Sequence, residues 1–139
     1  MACYYEDLTI GMSESFSKAV DEPDVALFGK LSGDMNPVHF DEAYAKTTIF
    51  RGRIAHGMLY LSFVSTVLGM NMPGPGTIFL SQTTRFKAPV RIGDTVTAIC
   101  TVRELLPKNR VIFDCVCKVK DTVAVEGEAT VIAPSRPAA

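Results

Sequence analysis

The run Ser32-Gly33-Asp34-Met35-Asn36-Pro37-Val38-His39 places a carboxylate and an imidazole five positions apart across an Asn-Pro turn. Seventeen positions after His39, a second imidazole opens the triplet His56-Gly57-Met58. A rigid turn could hold Asp34 and His39 around one small object, such as a water molecule. Gly57 begins the most apolar segment of the chain, and the first N–H groups of a helix have no partner within it. Such an N–H at the positive end of the helix dipole could face an oxyanion. A base, an acid and an anion hole are the groups needed to add water to a conjugated thioester, or to remove it again.

These groups need elements to aim them. Asp21-Glu22-Pro23-Asp24 has the signature of a helix start, with an Asp cap, a proline in the first turn and acidic residues favoured by the dipole. Val25, Phe28 and Leu31 follow at helical spacing, and Gly33 can close the helix in a left-handed conformation. Asp34 then hangs just beyond a helix end. Taken alone, Ser-Gly-Asp-Met-Asn is also good turn chemistry; the attached Asn36-Pro37 and His39 shift the balance toward a reacting pair. Asn36 is expected to be scaffold, its amide pinning the loop that aims Asp34. Pro37 fixes φ and removes a donor, which suits a rigid overhang. Asp41 to Lys46 suggests a short second helix, and residues 47–56 read as a loop carrying Arg51-Gly52-Arg53.

From Gly57 to Gly69 the apolar residues Met58, Leu59, Tyr60, Leu61, Phe63, Val64, Val67 and Leu68 cover every side of a helix. A helix that is apolar all round is buried all round, so something must wrap it. The wrapper lies downstream, in strand-like runs at about 77–87, 94–106, 109–121 and 122–132, rich in Thr, Val, Ile and Phe and separated by turn residues. An edge strand is expected over Ser13 to Val20. The fold class is therefore α+β, one long curved antiparallel sheet rolled around a central buried helix. Residues 1–133 form a single domain, and 134–139 are expected to be a disordered tail.

Composition narrows the function classes. A chain of 139 residues is one domain, and 47% hydrophobic with 21% charged content makes it globular. A net charge of −1 argues against nucleic acid as a partner. The first seven residues have neither the charged nor the apolar region of a signal peptide. Met58 to Met70 is too short to span a bilayer and is interrupted by Ser62, Ser65, Thr66 and Gly69. No pair among Cys3, Cys100, Cys115 and Cys117 has zinc-site spacing, so these read as reduced core thiols of a cytoplasmic protein.

Three blocks carry a family resemblance. Gly33-Asp34-x-Asn36-Pro37-x-His39, His56-Gly57-Met58 and the stretch Arg85-Phe86-Lys87-Ala88-Pro89-Val90-Arg91-Ile92-Gly93-Asp94-Thr95 resemble the MaoC-like (R)-specific enoyl-CoA hydratases. The resemblance covers about residues 8–132, with the blocks in order, and the first block is the specific one. It implies the hot-dog fold, whose sheet wraps a central helix. It also implies that Asp34 and His39 are the catalytic pair acting on a 2-enoyl-CoA, with Asp34 the expected base and His39 the proton relay. Ser65 matches a serine that touches the catalytic water region, although its hydroxyl could equally bond back to the carbonyl four residues earlier. Gly57 is the expected oxyanion hole, and His56 is expected to cap or orient the turn. Leu61, Val64 and Leu68 are candidate walls of an acyl tunnel; Arg51, Arg53, Arg85, Lys87 and Arg91 are candidates for coenzyme A phosphates.

The expected partner is an acyl-CoA thioester, with no nucleic acid, no membrane, no metal and no cofactor beyond the coenzyme A of the substrate. A rolled sheet leaves an edge strand open, and the expected remedy is a homodimer. Three other readings remain. One is the same chemistry run as a dehydratase on acyl-carrier-protein substrates. Another is thioester hydrolysis, which wants an acidic residue on the central helix, where 57–70 has none. The last is a non-catalytic thioester-binding subunit, which the presence of both Asp34 and His39 disfavours.

Overall fold

The protein is described here by a computed structural model covering residues 3–138. Its frame is a five-stranded sheet, antiparallel throughout: β1 (Ser13–Ala19), β2 (Ile78–Phe86), β3 (Thr95–Leu105), β4 (Arg110–Val119) and β5 (Thr122–Ile132). Their spatial order is β1-β3-β4-β5-β2, which leaves β1 and β2 at the edges. The alternation expected of half-buried strands is clear in β3, where Val96, Ala98, Cys100 and Val102 face the core, and in β4, where Val111, Phe113, Cys115 and Cys117 do so. A bulge between Val102 and Glu104 and another at Cys117 bend these long strands.

The central helix α4 (Gly57–Thr66) continues into a wider π turn over Val67–Asn71. Leu59, Tyr60, Phe63, Val64, Val67 and Leu68 are buried against the sheet, and Phe63 meets Phe16 of β1 edge to face at 5.5 Å. The helix is not covered on every side within this chain. Met58 is 61% exposed and Met70 65%, while Leu61 is half-buried. One curved sheet can wrap only one side of a cylinder, so the apolar face beyond it stays open.

Three α-helices precede α4. α1 (Glu22–Ser32) starts at Asp21, with the reciprocal capping arrangement between Asp21 and Asp24, and stops at Gly33 with φ 80°. Val25 is fully buried and Phe28 half-buried, but Leu31 is 82% exposed, because only the first part of the helix lies on the core. The expected overhang is itself a helical turn, α2 (Pro37–Phe40), followed by α3 (Glu42–Ala45) capped by Asp41. The loop before α4 is pinned to the sheet side by an Ile54–Arg91 bridge and by Ala55 N–H bonding Val90 O at 2.8 Å.

Cys100, Cys115 and Cys117 are buried free thiols, and Cys3 is half-buried. Of the expected tail, Pro134 accepts from Tyr5 N–H, and Arg136 pairs with Asp7 and lies over the Tyr4 ring. Residue 139 lies outside the described part. Among the described residues, no helix is long and apolar enough to cross a membrane.

Candidate active site

The turn after α1 is built from its own side chains. Ser32 Oγ donates to Phe28 O and accepts from Asp34 N–H at 3.1 Å. Asp34 Oδ1 accepts from Asn36 N–H at 3.2 Å, and Asn36 Oδ1 accepts from Val38 N–H at 3.3 Å, capping α2. The Asn36 side chain thus shapes the turn that carries Asp34 and starts α2. Pro37 at the first position of α2 starts a turn of helix that carries His39 inward, where it is 8% exposed.

The His39 ring is fixed in one tautomer. Its Nδ1 lies 2.8 Å from Ile54 O, and a carbonyl only accepts, so Nδ1 carries the hydrogen and Nε2 keeps its lone pair. Arg53 Nε donates to His39 O at 2.7 Å, while its Nη2 pairs with Glu22 at 2.8 Å. Burial holds the His39 pKa below the ordinary imidazole value; the Ile54 bond opposes this and the neighbouring His56 adds to it. His39 is thus kept ready to accept a proton rather than already carrying one.

His56 caps α4 and is 1% exposed. Its ring stacks on His39, with centroids 3.8 Å apart and planes 28° from parallel, and its Nε2 donates to Asp34 O at 2.9 Å. One side-chain atom from each of Asp34, His39 and His56 falls within 4.8 Å of the others. Two acceptors at that spacing can share one water, each at about 2.8 Å. They are poorly arranged for a metal ion. Stacked rings send their nitrogen lone pairs along nearly parallel planes, which do not converge at ~2.0–2.1 Å on one centre.

Gly57 follows directly as the first residue of α4, and no hydrogen bond to its N–H is found among the described residues. Beside it opens a mostly apolar cavity of about 340 Å³, lined by His39, Gly57, Phe50, Ile54, Tyr60, Phe86 and Lys87, among others. The Phe86 ring lies directly over Gly57: a β-carbon there would stand 2.5 Å from Phe86 Cε1. Tyr60 meets the same ring edge to face at 6.4 Å, and burial pushes its hydroxyl pKa up to about 12. The arrangement offers a proton acceptor, a carboxylate and a free N–H around the mouth of one apolar cavity.

The structure distributes the other candidates differently. Asp34 is exposed and close to His39 but is not part of the cavity lining, and Lys87 lines the cavity while pairing with Glu126 at 3.2 Å. Arg51 is exposed on the loop before α4. Arg53 is occupied in holding His39 and Glu22, and Arg91 in holding Gly52 O and Phe50 O, so both shape the loop. Arg85 faces a separate groove on the sheet with Asp114, Glu126 and Glu128. Val64 and Leu68 belong to the closed core rather than the cavity wall. Leu61 and Ser65 lie on another groove, with Met58, Ser62, Phe79 and Gln82, on a different side of α4. No hydrogen bond from the Ser65 hydroxyl is found among the described residues, so the back-bond to residue 61 is not formed.

Tyr60, Phe50, Ile54 and Phe86 were not among the sequence candidates. Tyr60 is the one hydroxyl-bearing aromatic on an otherwise apolar helix face, and Phe86 sits inside the Arg85-to-Pro89 block, where the flanking cations drew attention instead. For Phe50 and Ile54 the sequence carries no signal, since their place is set by how the loop folds back onto the sheet.

Comparison with known proteins agrees with this geometry. Residues 8–128 match the family described as the MaoC like domain. The chain is 53% identical to an (R)-specific enoyl-CoA hydratase of Rhodospirillum rubrum, across 96% of this chain and 93% of that protein. It is 44% identical to a 3-hydroxybutyryl-CoA dehydratase of Methylorubrum extorquens, across 96% and 85%. In three dimensions it resembles the unliganded R-hydratase of Pseudomonas aeruginosa with a TM-score of 0.91 and 43% identity, covering 97% of this chain and 88% of that one.

Proposed function

This chain belongs to the MaoC-like family and has its hot-dog fold, and on that premise we propose that it is an enoyl-CoA hydratase. It adds water reversibly to trans-2-enoyl-CoA and yields (R)-3-hydroxyacyl-CoA. The observation that carries the proposal is the His39 ring, whose Nδ1 is tied to Ile54 O so that Nε2 presents a lone pair beside the cavity where Gly57 lies.

The thioester carbonyl accepts from the Gly57 N–H, which stabilises negative charge as the enolate forms; a donor of this kind is worth about 2.7–4 kcal/mol. A water held between Asp34 and His39 gives one hydrogen to the pair while its oxygen bonds to C3. That hydrogen is then delivered to C2 on the same face, so the addition is syn and the pair ends as it began. Because His39 lines the cavity while Asp34 is exposed and outside its lining, we assign the travelling proton to His39 and the grip on the hydroxyl hydrogen to Asp34. This keeps the proton relay at His39, as expected from sequence, and moves the base role there from Asp34. All atoms come from water and the thioester, so the scheme calls on no cofactor.

We also propose a homodimer. Met58, Phe79, Leu80 and Phe86 are 40–61% exposed along α4 and the edge strand β2, and that unpaired edge adjoins the groove that holds Leu61 and Ser65. Lys87 and Arg51 are the remaining cations for the coenzyme A phosphates. The reduced thiols suit a cytoplasmic setting.

The test is to mix the protein with crotonyl-CoA, follow loss of the enoyl-thioester absorbance, and identify the product with an (R)-specific dehydrogenase. Conversion to (R)-3-hydroxybutyryl-CoA without free coenzyme A supports the reading. Free coenzyme A without hydration refutes it.

A further inference from the structure

Asp34 sits on an exposed turn whose hydrogen bonds, from Ser32 through Val38, shape it but are all local. They do not fix the turn against α4, where the Gly57 N–H lies. His56 makes that connection. Its Nε2 donates to the backbone oxygen of Asp34 at 2.9 Å, its ring stacks on His39 at 3.8 Å, and its chain neighbour is Gly57. One side chain therefore touches or adjoins all three groups assigned to the reaction.

We propose that His56 is a positioning residue, holding the Asp34 turn and the His39 ring in register with the Gly57 N–H through its Nε2 donor. The proposal rests on the hydratase reading given above. A core-filling role would need only the ring. His56 packs against Phe28 at 4.9 Å and Phe40 at 5.6 Å, an aromatic cage that a phenylalanine would fill as well. A phenylalanine would also avoid the His56 Nδ1, which is buried without a partner. Burying an unpaired nitrogen is costly, so a ring used only for packing would do better without it. The donor at Nε2 is what a phenylalanine lacks. His56 touches no reacting atom in this scheme and acts through the groups it holds.

Three proteins test the idea: the parent, His56→Phe, which keeps the ring and loses the donor, and His56→Gln, whose amide nitrogen stands close to the position of Nε2. The readouts are kcat and KM for crotonyl-CoA, the thermal midpoint, and ¹⁵N NMR of the imidazoles, of which the chain has only two. His56→Phe is expected to lose about 10²-fold in kcat, as for a displacement of about 1 Å, with KM near the parental value. His56→Gln is expected to recover most of that loss. The parent should show hydrogen on Nε2 of His56 and on Nδ1 of His39.

Parental kcat in His56→Phe overturns the proposal, as do equal losses in both variants or hydrogen on Nδ1 of His56. If His56→Phe does not fold, His56→Gln and the tautomers decide. If the parent fails to hydrate crotonyl-CoA, the functional reading falls, while the NMR result still reports whether His56 grips the Asp34 turn.

Discussion

The Phe86 ring and Gly57 are in contact so close that a β-carbon on residue 57 would lie 2.5 Å from the ring edge. Phe86 already occupies the space a side chain on residue 57 would take, and in the proposed scheme a thioester also approaches the Gly57 N–H. Phe86 is 52% exposed, so its ring can move aside. Gly57→Ala should fold, lose about 1–3 kcal/mol from overpacking, and hydrate crotonyl-CoA more slowly. Because one contact carries the strain, Gly57→Ala and Phe86→Ala should couple by about 0.5–3 kcal/mol in a double-mutant cycle of denaturant midpoints. Strict additivity would show that the contact carries no strain.

Asp34→Asn and His39→Gln keep a similar size and an oxygen that can accept a hydrogen bond, but remove the group that can take up a proton. Each should lower kcat by about 10²–10⁴-fold while the circular dichroism and thermal midpoint stay near parental values. A variant that keeps parental turnover would remove its residue from the mechanism.

The pH profile follows from His39. Burial, helped by the stacked His56, holds its pKa in the folded chain below the ordinary 6.5. Between that lowered value and 6.5 the unfolded chain binds a proton that the folded chain does not, so stability from this group rises with pH there. On acidification, stability should begin to fall near 6.5 and level off below the folded pKa. The acid limb of kcat should lie below 6.5, because His39 keeps its lone pair until that lower point. An acid limb above 6.5 would contradict the assignment.

Dimerisation has its own test. Phe79 is 40% exposed on the β2 edge and lines the groove shared with Leu61 and Ser65. Phe79→Lys puts a charge into that apolar surface and should shift the protein from dimer to monomer in light scattering, with loss of activity. A fully active monomer would show that the cavity is complete within one chain.

Arg53 links His39 O to Glu22 of α1, so it ties the overhang to the helix before it. Arg53→Met removes the donor from a half-buried carbonyl and should lower stability by about 1–3 kcal/mol, read from urea midpoints. A loss confined to KM for the thioester, with stability unchanged, would instead place Arg53 at the coenzyme A phosphates.

The sequence by itself determined the elements and the reacting types. The strand-like run at about 94–106 marked β3, and the caps Asp21 and Gly33 bounded α1 within a residue. The spacing of Asp34, Asn36, Pro37 and His39 marked a site because turn chemistry is local and therefore written in adjacent residues. Contacts between distant segments were decided only by the tertiary structure. Ile54 fixes the His39 tautomer from fifteen residues away, and Phe86 reaches Gly57 of α4 from the end of β2. The same holds for the cations: Arg51, Arg53, Arg85 and Arg91 are alike in type, yet one is exposed, two are consumed by backbone carbonyls and one faces another groove. The helix Gly57–Thr66, apolar all round in sequence, keeps an open face at Met58 because a single sheet wraps only one side of it. Residue type states what a side chain can do; the packing of the sheet around α4 decides what it meets.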